Sequence, residues 1–100
     1  MLPKQIQIKS HRREELIDIT REVQNYISQS GIKSGIATLF VTHTTAAVTI
    51  NENADPDVKR DILYKLKKEI PQDDGYHHGE GNSDAHLKSS LFGPPLKLII

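Results

Sequence analysis

The strongest pattern in the chain runs from Asp55 to Pro71, and the rest of the fold has to be built around it. Asp55-Pro56 places a capping carboxylate directly before a proline at the first helical position. Val58, Ile62, Leu63, Leu66 and Ile70 then recur at helical spacing and form one apolar stripe. Lys59, Arg60, Lys65, Lys67 and Lys68 lie off that stripe and read as a solvated face. Pro71 stops the helix. The stripe must be covered by other elements. A chain of 100 residues is expected to bury roughly 65% of its unfolded surface, which is enough for one modest core. A single domain over 1–100 is therefore expected.

The other elements are mostly strand-like. Gln5-Ile6-Gln7-Ile8-Lys9 alternates polar and apolar residues and reads as a half-buried strand. Ser10-His11-Arg12-Arg13 is a polar turn. Leu16-Ile17-Asp18-Ile19 suits a strand or a helix start, with strand favoured because Thr20 suits an N-cap. Val23, Tyr26 and Ile27 then mark one face of a helix over 21–29, closed by Ser30-Gly31. The β-branched and aromatic run 36–43 reads as a buried strand, and 46–51 as another. Ser83 could cap a short helix through Ser90, stopped by Gly93 and Pro94-Pro95. Leu96-Lys97-Leu98-Ile99-Ile100 begins a last strand. This order predicts an α+β fold with a largely antiparallel sheet and two main helices.

Composition excludes several classes of function. There is no cysteine, so disulfide scaffolds, thiolate zinc sites, iron–sulfur clusters and cysteine nucleophiles are out. Lys+Arg and Asp+Glu are both 13, so no global field steers the chain onto nucleic acid or an anionic membrane. The densest group of basic residues sits on one helix without an aromatic platform, which argues further against nucleic acid. No apolar run approaches the roughly 20 residues of a membrane span, and the start lacks a signal-peptide core. The expected location is the cytoplasm.

Chemistry concentrates in His43-Thr44-Thr45 and in the segment Tyr76-His77-His78-Gly79-Glu80-Gly81-Asn82-Ser83-Asp84-Ala85-His86. Neutral imidazoles suit zinc and its neighbours, and three histidines with one open position make a catalytic zinc arrangement. His78 and His86 are separated by a turn and can converge; His77 points away if the segment is extended. His43 falls on the inward parity of Leu39 and Val41, so it is either a hydrogen-bonded core residue or a third ligand reaching into a pocket. Glu80 is placed to move a proton or to orient an imidazole. Asp84 would lie in the first turn of a helix, as a dipole partner or beside a bound anion. Lys88 could meet a phosphate or stay solvated, and Asn82 could bind substrate or shape the turn. Thr44 and Thr45 are either substrate contacts or strand residues. Glu52 has inward parity and no assigned role.

The stretch from His43-Thr44-Thr45-Ala46-Ala47 through Asn51-Glu52-Asn53-Ala54-Asp55-Pro56-Asp57-Val58, together with His78-Gly79-Glu80-Gly81-Asn82-Ser83-Asp84-Ala85-His86, Lys88, Ser90-Leu91 and Gly93, resembles the YjbQ-like family, also called uncharacterised protein family 0047. A milder likeness through Ile17-Asp18-Ile19-Thr20 and 31–35 extends it over nearly the whole chain. The resemblance implies a β-sandwich-like α+β fold, a homotrimer and a polar pocket. In that pocket His43, His78 and His86 would hold a divalent metal such as zinc, with Glu80, Asn82 and Asp84 beside it. Members are described as secondary thiamine-phosphate synthases, coupling an aminopyrimidine diphosphate to a thiazole phosphate with loss of diphosphate. The family continues past the position of Ile100 with further strands, including a Gly-Thr-Trp-Gln-like segment. Nothing here matches these, so a C-terminally truncated domain is expected.

The leading expectation is an enzyme with a metal-assisted pocket for a phosphorylated small molecule, either a thiamine-phosphate synthase-like transferase or a metal-dependent hydrolase. In that reading Glu80 and Asp84 are catalytic, Thr44, Thr45, Asn82 and Lys88 bind substrate, and His43, His78 and His86 bind metal. The alternative is a non-catalytic trimer that binds metal or a metabolite. A third class is a structural protein with satisfied core histidines.

Overall fold

The computed structural model describes residues 3–93 and 95–100. Pro94, part of the expected helix stop, lies outside them. The element order is α1 (Thr20–Ser30), β1 (Ile36–Phe40), α2 (Pro56–Glu69), α3 (Ser83–Phe92) and β2 (Pro95–Ile99). The described residues thus hold three helices, the two main ones and the short one expected after Ser83, and one two-stranded antiparallel sheet in an α+β arrangement.

The sheet joins distant parts of the chain. Ile36 pairs with Ile99, Thr38 with Lys97 and Phe40 with Pro95. The Ile100 N–H extends the ladder to the Gly35 carbonyl at 2.9 Å. Period-2 alternation places Ala37, Leu39, Leu96 and Leu98 on the half-buried face and Ile36, Phe40 and Ile99 on the exposed one. Segments 5–9, 16–19 and 46–51 form no strand, contrary to their pattern. Alternation shows only that a segment suits a sheet; a strand also needs a neighbouring ladder, and β1 takes its ladder from β2. β1 ends at Phe40, short of the expected Val41-Thr42-His43. A sandwich needs a second sheet, and the described residues form one.

The helices follow their local signals closely. In α2 the Asp55 carboxylate accepts the Asp57 N–H at 2.9 Å, with Pro56 opening the helix. The expected stripe, Val58, Ile62, Leu63, Leu66 and Ile70, is its half-buried side, together with Lys59. In α1 Thr20 is the first helical residue rather than the cap. The preceding Asp18 carboxylate accepts the Thr20 N–H at 2.9 Å and also the Asn53 amide at 2.7 Å, tying α1 to the approach of α2. Gly31 closes α1 with φ +73°, a left-handed conformation that costs glycine little. In α3 the cap position is Asn82, one residue before the expected Ser83.

No apolar side chain among the described residues is fully buried; the one that is belongs to Asp84, at 0% exposure. Its carboxylate receives a two-pronged contact from Arg13, Nη2 to Oδ1 at 2.8 Å and Nη1 to Oδ2 at 2.9 Å. Lys88 Nζ adds a contact to Oδ2 at 3.0 Å and reaches Glu14 Oε1 at 3.2 Å. Arg13 also meets Glu14 at 3.1 Å, so two acids and two bases close a neutral ring. This ring anchors the extended N-terminal segment to the first turn of α3.

Two stability predictions follow from these contacts. Asp55→Ala removes the cap of α2 and is expected to lower unfolding stability by about 1 kcal/mol, read as a shifted midpoint in urea at unchanged slope. Arg13, and after it Lys88, hold the Asp84 carboxyl well below the usual carboxylate range against the opposing effect of burial. The stabilisation from this depressed acid is complete above the unfolded-chain value of about 3.9 and fades as pH falls toward the folded value. The stability gap between the wild type and Asp84→Asn should therefore be constant above about pH 5 and close below about pH 4. A gap that stays constant down to pH 2 refutes this account.

Candidate functional site

Two clusters meet around α3. The first is an open groove of about 590 Å³ lined by residues from 40–46 and from α3, among them Thr42, His43, Thr44, His86 and Ser89. The chain leaves β1 at Phe40 and runs irregularly past His43, so His43 faces a groove wall instead of the sheet core. Ser89 holds α3 to this wall, its hydroxyl donating to the Thr44 carbonyl at 2.5 Å. Thr44 thus lines the groove, while Thr45 is exposed and not part of the lining. The lining side chains bear hydroxyls, imidazoles and apolar groups but no lysine or arginine.

The second cluster is the loop before α3. The His78 and His86 rings stand edge to face with centres 5.4 Å apart. The Glu80 carboxylate lies 3.7 Å from His78 Nε2, and both side chains are open to solvent. Because His86 also lines the groove, the two clusters share one imidazole. The Asn82 Oδ1 is shielded from solvent and finds no hydrogen-bond partner among the described residues, which marks an acceptor waiting for a donor or a cation. Tyr76 secures the loop's start by donating to the Pro71 carbonyl at 2.7 Å, and burial raises its phenol pKa.

The structure therefore brings His86 to His78 on one side and to the groove of His43 on the other. Among the described residues of one chain, no three histidine, aspartate or glutamate side chains gather closely enough to hold a metal. Asp84 and Lys88 face each other within the neutral ring with Arg13 and Glu14, and Lys88 is only 12% exposed. Arg13 and Glu14 escaped sequence reading because 10–13 looks like an ordinary polar turn. The one hint was Asp84 itself, since a carboxylate enclosed by a fold needs a cation from somewhere.

No helix among the described residues is long and apolar enough to cross a membrane. Comparison with known proteins gives a consistent result. The family model described as "UPF0047 protein YjbQ-like" matches residues 4–100. UPF0047 protein MJ1081 of Methanocaldococcus jannaschii is 55% identical over 94 residues, covering 94% of this chain and 68% of its own length. UPF0047 protein YugU of Bacillus subtilis is 48% identical over 98 residues, covering 97% and 74%. Among solved structures, an uncharacterized conserved protein of the yjbq/upf0047 family from Clostridium acetobutylicum superposes with a TM-score of 0.91 at 49% identity, over 93% of this chain and 72% of that one. A protein of unknown function from Sulfolobus solfataricus reaches a TM-score of 0.88 at 34% identity, over 93% and 68%. With nearly its whole length matched in sequence and in structure, the chain belongs to the UPF0047, YjbQ-like family.

Proposed function

We propose that this chain is a metal-assisted enzyme acting on a phosphorylated small molecule bound in the groove between 40–46 and α3. The observation that carries this reading is the His78–His86 pair, with one imidazole on the groove wall and the other beside Glu80. Their ring centres stand 5.4 Å apart. Imidazole nitrogens suit zinc, and the orphaned Asn82 oxygen adds an acceptor at the end of the same loop. His43 is the candidate third ligand, supplied across a contact between copies in a homotrimer.

The groove's own residues leave the substrate's charge to a bound ion in this reading. An anionic group among these hydroxyls and imidazoles meets no fixed positive charge, since Lys88 is already neutralised by Asp84 and Glu14. When bound, the ion supplies positive charge to the leaving phosphate or diphosphate. Thr42 and Thr44 line the groove where substrate oxygens would lie. Glu80, exposed and beside His78, is free to accept or return a proton. Asp84 and Lys88 serve as supports rather than reagents. Thiamine-phosphate synthase-type coupling and phosphate-ester hydrolysis both fit this arrangement.

Zinc titration by calorimetry, with elemental analysis of chain purified without chelator, tests the reading. His86→Ala should weaken zinc binding by more than the about 10- to 100-fold typical for loss of an outer partner of a ligand. Glu80→Gln should keep the metal and lower turnover of the coupling or hydrolysis reaction by about 10²- to 10⁴-fold. Unchanged zinc affinity in His78→Ala/His86→Ala overturns the metal reading. Metal and metabolite binding with no turnover in the wild type assigns the chain to non-catalytic binding instead.

A further inference from the structure

We infer that Arg13 is a positioning residue for the histidine site, and that its guanidinium holds the loop carrying Glu80 and the first turn of α3, which carries His86, at one point each. Both arms of the fork grip the Asp84 carboxylate, with contacts of 2.8 and 2.9 Å. The other contact goes from Nη2 to the Gly81 carbonyl at 3.3 Å. Gly81 directly follows Glu80, and Asp84 stands two residues before His86, so one side chain spans the turn between the two functional positions. Gly81 has φ +76°, a conformation that only glycine adopts readily, and its carbonyl also accepts from the Gln72 amide at 3.2 Å.

Packing does not hold this loop. Residues 77–81 are exposed, and the one enclosed side chain nearby is Asp84 itself. Polar contacts must therefore fix the loop, and those from Arg13 come from outside it. Arg13 is in turn presented by a tight turn in which Glu15 accepts the His11 N–H at 2.8 Å and the Arg12 N–H at 2.9 Å. Lys88 and Glu14 complete the ring, so the guanidinium's charge is balanced where it sits. The geometry requires a planar fork. A lysine at 13 keeps the charge but cannot make two parallel contacts to Asp84 and a third to Gly81. Total enclosure of Asp84 also keeps it from touching substrate, which gives it the same supporting part.

The inference rests on the histidine pair being the working site, and the test separates the two ideas. It uses the metal-free full chain at fixed pH, with NMR detection of the nuclear Overhauser effect between the His78 and His86 rings and of the α2 amide shifts, followed by zinc titration. In Arg13→Lys the ring-to-ring effect should fall at least about twofold and zinc affinity by about 10- to 100-fold, while the α2 amides keep their shifts. Arg13→Lys with the ring-to-ring effect and zinc affinity both within twofold of wild type overturns the inference. Collapse of the α2 signals along with those of the loop also overturns it, because Arg13 would then support the whole chain rather than this site. A wild type that shows the ring-to-ring effect but binds no zinc removes the metal reading and leaves the NMR result to decide the role of Arg13.

Discussion

A single enclosed carboxylate organises much of this molecule. Asp84 has no exposed surface, in a chain whose described apolar side chains all keep some contact with solvent. Enclosing a charge is unfavourable unless it is paired and hydrogen-bonded. Arg13 and Lys88 meet that requirement from two directions, one from the N-terminal segment and one from a turn further along α3. The consequence is positional. The carboxylate defines where the start of α3 sits, and with it His86 and the end of the loop that carries His78.

The sheet plays a complementary part at the other end of the site. β1 and β2 bring together segments about sixty residues apart, and the chain leaving β1 forms one wall of the groove. α3 forms the opposite wall and connects to β2 through Gly93, whose N–H returns to the Ser89 carbonyl at 2.8 Å. The Ser89 hydroxyl, bonded across to Thr44, closes the circuit between the walls. His86 therefore sits where two independent restraints meet: the ion-paired turn before it and the hydroxyl bridge after it. A metal or phosphate site needs such support, because ligand geometry tolerates little displacement.

How much of this was legible in the chain differs by element. The ends of α2 and the glycine closing α1 were readable to the residue, because capping involves neighbours a few positions apart. The stripe of α2 was equally plain. The strands read far less well: 5–9, 16–19 and 46–51 have the alternation of strands yet form none, and 36–43 shortens to Ile36–Phe40. Of the site, the residues of the 76–86 segment stood out by composition alone. Arg13 did not, since nothing near it in sequence shows that its partner lies 71 positions away.

What the amino-acid order determined by itself is local and chemical: the three helices, a charge-balanced, cysteine-free composition, a loop dense in imidazole and carboxylate groups, and membership in a family. These depend on contacts within a few residues or on side-chain type. Only the tertiary structure decided which strand pairs with β1, that His86 is shared between the ring pair and the groove, and that Asp84 and Lys88 pair with each other beside Arg13. Those outcomes depend on closing loops tens of residues long, and the energy that chooses among closures lies in ladders and ion pairs that no local pattern encodes.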